Sequence, residues 1–150
     1  MLQGISPLLS PDLLHLLASM GHGDEIALVD ANFPATSTAK TSGARLVTCL
    51  GIGTPTLLKA ILPLFPLDKA VPEPAFAMVP EKEHAANFPD GLPDAAREIM
   101  VTVGETGFIC GRLPRFAFYD RANKAYGVVQ TGETRVYGNV ILKKGVVTAS

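Results

Sequence analysis

The amino-acid sequence predicts an α/β domain in which a central β-sheet is flanked by helices. Three observations carry that expectation. Short apolar runs such as Ile26-Ala27-Leu28-Val29 have the length and near-continuous hydrophobicity of strands covered on both faces. Other segments place apolar residues at helical spacing and open on cap signals such as Ser10-Pro11-Asp12. The two kinds of segment alternate along the chain, the pattern of a sheet with helices packed against it.

In the first helix Ser10 is the N-cap, Pro11 takes the first helical position and Asp12 faces the positive end of the dipole. Leu13, Leu14, Leu16, Leu17 and Met20 form its buried stripe, with His15 pointing outward. Gly21 suits the position just past the helix, where a left-handed backbone is cheap for glycine. Residues 25–30 form a strand, 31–43 are polar and irregular, and 45–50 form a second strand. Gly51-Ile52-Gly53-Thr54-Pro55 turns into another helix, with Thr54 as N-cap and Pro55 in the first position. Its apolar face is Leu57, Leu58, Ile61, Leu62 and Phe65, and Pro63 kinks or ends it. Residues 75–79 form a third strand, and 80–92 a loop. Pro93-Asp94 opens a short helix to about residue 100, residues 108–111 form a brief strand, and Pro114 starts a helix over 115–124. Strands over 125–131 and 139–147 complete the chain, with a turn at Gly132-Glu133. No repeat, linker or low-complexity segment divides residues 1–150, so one domain is expected.

Hydrophobic residues make up 47% and charged residues 18%, which gives an ordered chain and hints that an oligomer covers part of its surface. Thirteen basic against 14 acidic residues leave no electrostatic footprint for nucleic acid or an anionic membrane. No run approaches the roughly 18 apolar residues of a membrane helix, and the first residues lack the basic start of a secretory signal. The expected location is therefore the cytoplasm. Cys49 and Cys110 are far apart without metal-site spacing, and buried free thiols are expected.

The segment from Met20 to Pro34 holds the strongest chemical candidates. His22 stands between Gly21 and Gly23, where a ligand can approach closely, and imidazole is the side chain suited to proton exchange near neutral pH. Asp30 ends the apolar strand, where α/β sheets often bind ligands, although such a residue also serves as a turn or cap. His22 and Asp30 are expected at one mouth of the sheet, in a polar small-molecule site. Asp24 and Glu25 are read as solvated residues. His15 and His84 lack metal-ligand spacing, so no metal is expected. In Gly51-Ile52-Gly53 the third glycine of a dinucleotide motif is replaced by Thr56, no Walker lysine follows, and there is no GxSxG. In Arg115-Phe116-Ala117-Phe118-Tyr119 the phenylalanines are packing residues, while Arg115 and Tyr119 either bind a hydroxyl-rich ligand or brace their helix. Tyr137-Gly138-Asn139 offers a phenol and an amide beside a glycine, or else is a hairpin.

These pieces taken together resemble the ribose pyranase and fucose mutarotase family over nearly the whole chain. The resemblance rests on Met20-Gly21-His22-Gly23-Asp24, Asp30-Ala31-Asn32-Phe33-Pro34, Arg115 to Tyr119, and the run from Tyr137-Gly138-Asn139 to Val146. The last two segments are similar to the fucose branch. Residues 80–106 depart from the bacterial pattern, and Thr36 stands where some fucose-branch members carry histidine. The resemblance implies an isomerase acting on free L-fucose without cofactor or metal. His22 would be its acid/base, with Asp30, Arg115, Tyr119, Tyr137 and Asn139 at the sugar. It also implies a homo-oligomeric ring, a pentamer or decamer, with sites completed across subunits. Pyranose–furanose exchange on ribose and non-catalytic monosaccharide binding are the alternatives.

Overall fold

A computed structural model describes residues 1–149. Its strands are β1 (Glu25–Val29), β2 (Arg45–Cys49), β3 (Ala75–Val79), β4 (Cys110–Pro114), β5 (Gly127–Thr131) and β6 (Val140–Lys143). Its α-helices are α1 (Pro11–Ser19), α2 (Ala35–Ser42), α3 (Thr54–Ile61), α4 (Lys82–Ala85), α5 (Asp94–Gly104) and α6 (Arg115–Ala122). The strands form one sheet in the order β2-β5-β1-β6-β3-β4. β6 runs antiparallel to both β1 and β3, while the other pairings are parallel. Five strands therefore share one direction and β6 alone is reversed. That shared direction gives the sheet distinct amino and carboxyl ends.

Each face of the sheet carries its own core. Ile26 and Leu28 point into a cluster with the apolar stripes of α1, α3 and α5. Ala27 and Val29 point the other way, into a smaller cluster beneath α2 and α6. All four are fully buried, as a run without polar alternation requires. Helix α1 begins as its sequence predicts, with the Ser10 hydroxyl accepting from the Leu13 N–H at 3.2 Å. Its far end is closed by Lys144, whose ammonium donates to the carbonyls of Leu17 and Met20 at 3.2 and 2.6 Å.

The structure corrects several local expectations. Residues 35–42 are helical despite the sequence Ala-Thr-Ser-Thr-Ala-Lys-Thr-Ser, which has no large apolar stripe. The buried side chains of α2 are Ala35, Thr38 and Ala39, small groups at helical spacing that pack beneath the sheet. Tertiary contact overrides weak local propensity here. Gly23 (φ +87°), rather than Gly21, takes the left-handed conformation after α1. Thr54 is the first residue of α3, not its cap, and its hydroxyl turns inward to Thr131 and to the Gly138 carbonyl. The loop after β3 contains α4 and a 3₁₀ turn (Pro89–Gly91), and α5 runs one turn beyond residue 100. β4 starts at Cys110 rather than 108 and delivers Pro114 directly to α6, while β6 is shorter than the 139–147 span.

Leu28 tests the packing. We expect Leu28→Ala to lower unfolding free energy by about 2–5 kcal/mol. Urea titration at fixed protein concentration checks this, with an unchanged m-value showing that the loss lies in the core.

Candidate active site

A pocket of about 250 Å³ opens at the carboxyl end of the sheet. Asp30, Asn32 and Phe33 come from the segment after β1, Met78 from β3, Arg115 and Tyr119 from α6, and Val136, Tyr137 and Asn139 from the approach to β6. Its volume is below the range of drug-sized ligands, and its polar groups are spread over several elements, as suits one small polar molecule. Five of the six residues singled out in the sequence thus converge. The sequence reading did not single out Asn32, Phe33, Met78 or Val136. The first two lay in plain view beside Asp30, whereas the end of an apolar strand and an exposed valine carry no chemical signal.

Asp30 and Asn139 form the floor through a reciprocal pair. The Asp30 backbone N–H donates to Asn139 Oδ1 at 2.8 Å, and Asn139 Nδ2 donates to Asp30 Oδ2 at 3.0 Å. The second oxygen, Oδ1, accepts from the Asn32 N–H at 3.0 Å, which closes a tight turn at the strand end. Both residues are buried. Burial pushes the Asp30 carboxyl above the ordinary 3.8, against the opposing pull of the Asn32 N–H and the Asn139 amide. A second anionic group would be poorly received there, while neutral hydroxyls can donate to the carboxylate.

The wall from α6 follows from helical spacing, since residues four apart share a face. Arg115 Nε donates to the Tyr119 hydroxyl at 3.1 Å, and the guanidinium lies 5.4 Å from that ring's centroid. The Tyr119 ring meets Phe33 edge-on at 5.2 Å, and Phe33 in turn meets the buried Phe118 at 5.8 Å. Phe33 and Phe118 are packing residues that aim the tyrosine, whereas Phe116, expected to pack, is exposed.

The opposite rim is residues 132–139. Gly138 is required there, because a Cβ would lie 2.5 Å from Glu133 Cγ. Tyr137 is left-handed at φ +61°, an unusual conformation for a bulky residue. Glu133 is buried and accepts from the Arg135 backbone N–H at 3.0 Å and from its side chain at 2.9 and 3.1 Å. Arg135 holds the Glu133 carboxyl below the ordinary 4.5, overcoming the effect of burial.

His22 is elsewhere. The Gly23 N–H donates to the Lys144 carbonyl at 2.8 Å, which places His22 beside the exit of β6, at the amino end of β1. Asp30 pairs with Asn139 at the entrance of β6, and the five strand residues between span about 17 Å. An extended strand separates its ends, so His22 and Asp30 do not share a mouth of the sheet within one chain. The partner of His22 is instead Asp68, with Nε2 and Oδ1 3.2 Å apart. The Ala70 N–H, and then His22, hold the Asp68 carboxyl below its ordinary value despite its burial. As a carboxylate it only accepts, so the contact requires the hydrogen on Nε2 and leaves Nδ1 outside it. No motif marks Asp68. It reaches His22 because Leu67 bridges to Lys144, a pairing 77 residues distant in sequence. Among the described residues, no group of three His, Cys, Asp or Glu side chains is placed to hold a metal ion.

Comparison with known proteins fits this geometry. Residues 3–147 match the RbsD / FucU transport protein family. This chain belongs to that family. Among its RbsD / FucU relatives, the fucose mutarotase of Homo sapiens is 47% identical over 148 residues, covering 97% of this chain and 94% of the relative. The L-fucose mutarotase of Glaesserella parasuis is 44% identical, covering 97% and 96%. The crystal structure of the fucose mutarotase from Streptococcus pneumoniae in complex with L-fucose superposes with a TM-score of 0.82 at 41% identity, covering 98% and 100%.

Two measurements follow. Asn139→Leu removes the amide that favours the Asp30 carboxylate, so the Asp30 pKa should rise further in an NMR titration. The unpaired group should also lower stability by about 1–3 kcal/mol. Glu133 has its folded pKa depressed, so its contribution is fully present above the ordinary 4.5 and is lost as pH falls through the lower value. The stability difference between wild type and Glu133→Gln, followed by urea titration, should therefore shrink only below about pH 4.5.

Proposed function

We propose that this protein is an L-fucose mutarotase that interconverts the α and β anomers of the free sugar, with His22 as acid/base. Asp30, Arg115, Tyr119, Tyr137 and Asn139 hold the pyranose. The observation that carries the reading is the convergence of those five polar side chains in one monosaccharide-sized pocket. The names and high identity of the relatives supply the sugar.

The chemistry needs one proton taken from the anomeric hydroxyl and one delivered to the ring oxygen. The bond from C1 to the ring oxygen then breaks as the C1 carbonyl forms. Rotation about C1–C2 presents the other face, and closure reverses both transfers. Nδ1 of His22 is available to take or return a proton, with Asp68 holding the ring by its other nitrogen. Tyr119 accepts from the Arg115 cation, which leaves its own O–H to donate toward the pocket. Arg115 stays charged throughout and binds hydroxyls rather than shuttling protons. Asp30 accepts from sugar hydroxyls and its amide partner Asn139 fixes its direction.

His22 and the pocket lie at opposite ends of the sheet, so the complete site draws His22 from a neighbouring copy. A contact between the amino end of one copy and the carboxyl end of the next is head-to-tail, and it closes into a ring when the rotation permits. A pentameric ring, or two stacked as a decamer, is the assembly we assign. We place it in the cytoplasm, where the reduced thiols Cys49 and Cys110 are stable.

Magnetisation-exchange NMR on equilibrated L-fucose tests the reading. The protein should speed exchange between the α and β H1 signals, and His22→Ala should reduce that acceleration by about 10²–10⁴-fold. A protein that binds L-fucose without speeding exchange between pH 5 and 8 would be a binding protein instead. Mixing His22→Ala with Asp30→Asn should restore about a quarter of the wild-type rate, the share of sites drawing one intact residue from each parent. No restoration after subunit exchange would place both residues in one chain.

A further inference from the structure

We propose that Arg97 and Glu98, consecutive residues of α5 that do not line the pocket, are positioning residues that hold Tyr137 over the sugar. The inference rests on the mutarotase reading for its substrate and on independent geometry for the brace itself.

Two non-glycine residues among those described have a left-handed backbone, Tyr137 at φ +61° and Asp90 at φ +54°. Such conformations persist only where surrounding contacts over-determine them. Both are held from α5. Glu98 receives Arg135 in a two-pronged pair, Nη1 to Oε1 at 2.7 Å and Nη2 to Oε2 at 3.2 Å. Arg135 meanwhile donates to the buried Glu133, so the loop carrying Tyr137 is gripped between a buried carboxylate and the helix. On the other side, Phe88 meets the Tyr137 ring edge-on, with centroids 5.8 Å apart. Phe88 immediately precedes the 3₁₀ turn that contains Asp90. Arg97 donates from Nη2 to the Pro89 carbonyl at 3.1 Å and the Leu92 carbonyl at 3.5 Å, and lies 3.9 Å from the Asp90 carboxylate.

An isolated exposed ion pair contributes little. Here the two-pronged geometry and the shared arginine make a network, and its effect is on direction more than on stability. The helix is a firm anchor because Ala95, Ala96, Ile99 and Val103 on its inner side are fully buried. Arg97 thus fixes the aromatic neighbour of Tyr137, and Glu98 fixes its backbone.

The experiment is a double-mutant cycle in L-fucose exchange, with Glu98→Ala, Arg97→Met and Tyr137→Ala, alone and combined. Glu98→Ala and Arg97→Met should each raise KM on the order of tenfold with a smaller change in kcat, and neither should matter in the Tyr137→Ala background. Glu98→Asp, which keeps the charge, should recover part of the loss. Effects that persist undiminished without the Tyr137 side chain, or an unchanged KM, would overturn the proposal. Ring dynamics of labelled Tyr137 in sugar-free protein provide a readout independent of the reaction. Glu98→Ala should mobilise the ring, and an equally rigid ring would refute the brace. Wild-type protein inactive on L-fucose but showing that mobilisation would count against the mutarotase reading alone.

Discussion

The reciprocal pair between Asp30 and Asn139 ties the end of β1 to the start of β6, the one reversed strand. Each residue supplies both a donor and an acceptor to the other, so two buried polar groups are satisfied at one stroke. Much of the site depends on that knot. It fixes where the 132–139 loop arrives, and Tyr137 and Val136 arrive with it. It sets the turn through Asn32 that presents Phe33 to Tyr119. The same carboxylate that stabilises the junction is then the acceptor facing the pocket. In the proposed function, structure and recognition share one group, which would explain why a costly buried charge is kept there.

Much of the framework was legible because burial on two sides leaves a clear sequence trace. The 26–29 run reads as a covered strand, and the third strand coincides with residues 75–79. Helix α2 was hidden for the opposite reason. Ala35, Thr38 and Ala39 are too small to announce an apolar face, yet small size is what lets the helix lie against the sheet. Thr54 was read one position out because a cap and an inward hydroxyl use the same residue type. Among the candidate site residues, Asp30 was visible at the end of an apolar strand, Arg115 and Tyr119 in a helix opened by Pro114, and Tyr137 and Asn139 on either side of Gly138. Asp68 and Glu98 were not, since their partners lie 46 and 37 residues away and no local pattern records such a distance.

The uniform direction of five strands separates two kinds of chemistry. Chain segments leaving the carboxyl end supply acceptors, phenols and a guanidinium around a cavity. Segments at the amino end supply an exposed imidazole steadied by a buried carboxylate. In the proposed mechanism the imidazole at one end works with the phenols at the other. A sugar enclosed between two copies would meet both, and it would be shielded from water on both sides while the open-chain aldehyde exists.

The strand order carries a further consequence for how the chain matures. β2 pairs with β5 alone, and β1 pairs with β5 and β6, so neither of the first two strands has a partner among the first hundred residues. While a ribosome is still making the chain, those apolar strands wait unpaired until residues 127–143 have emerged. Closure of the sheet is therefore a late and long-range event, of the kind that slows folding and leaves β-edges exposed meanwhile. Helix α1 can form early, but its capping ammonium at Lys144 arrives 127 residues after the Leu17 carbonyl that it caps. Residues 127–144 act as the keystone of the synthesis as much as the rim of the pocket.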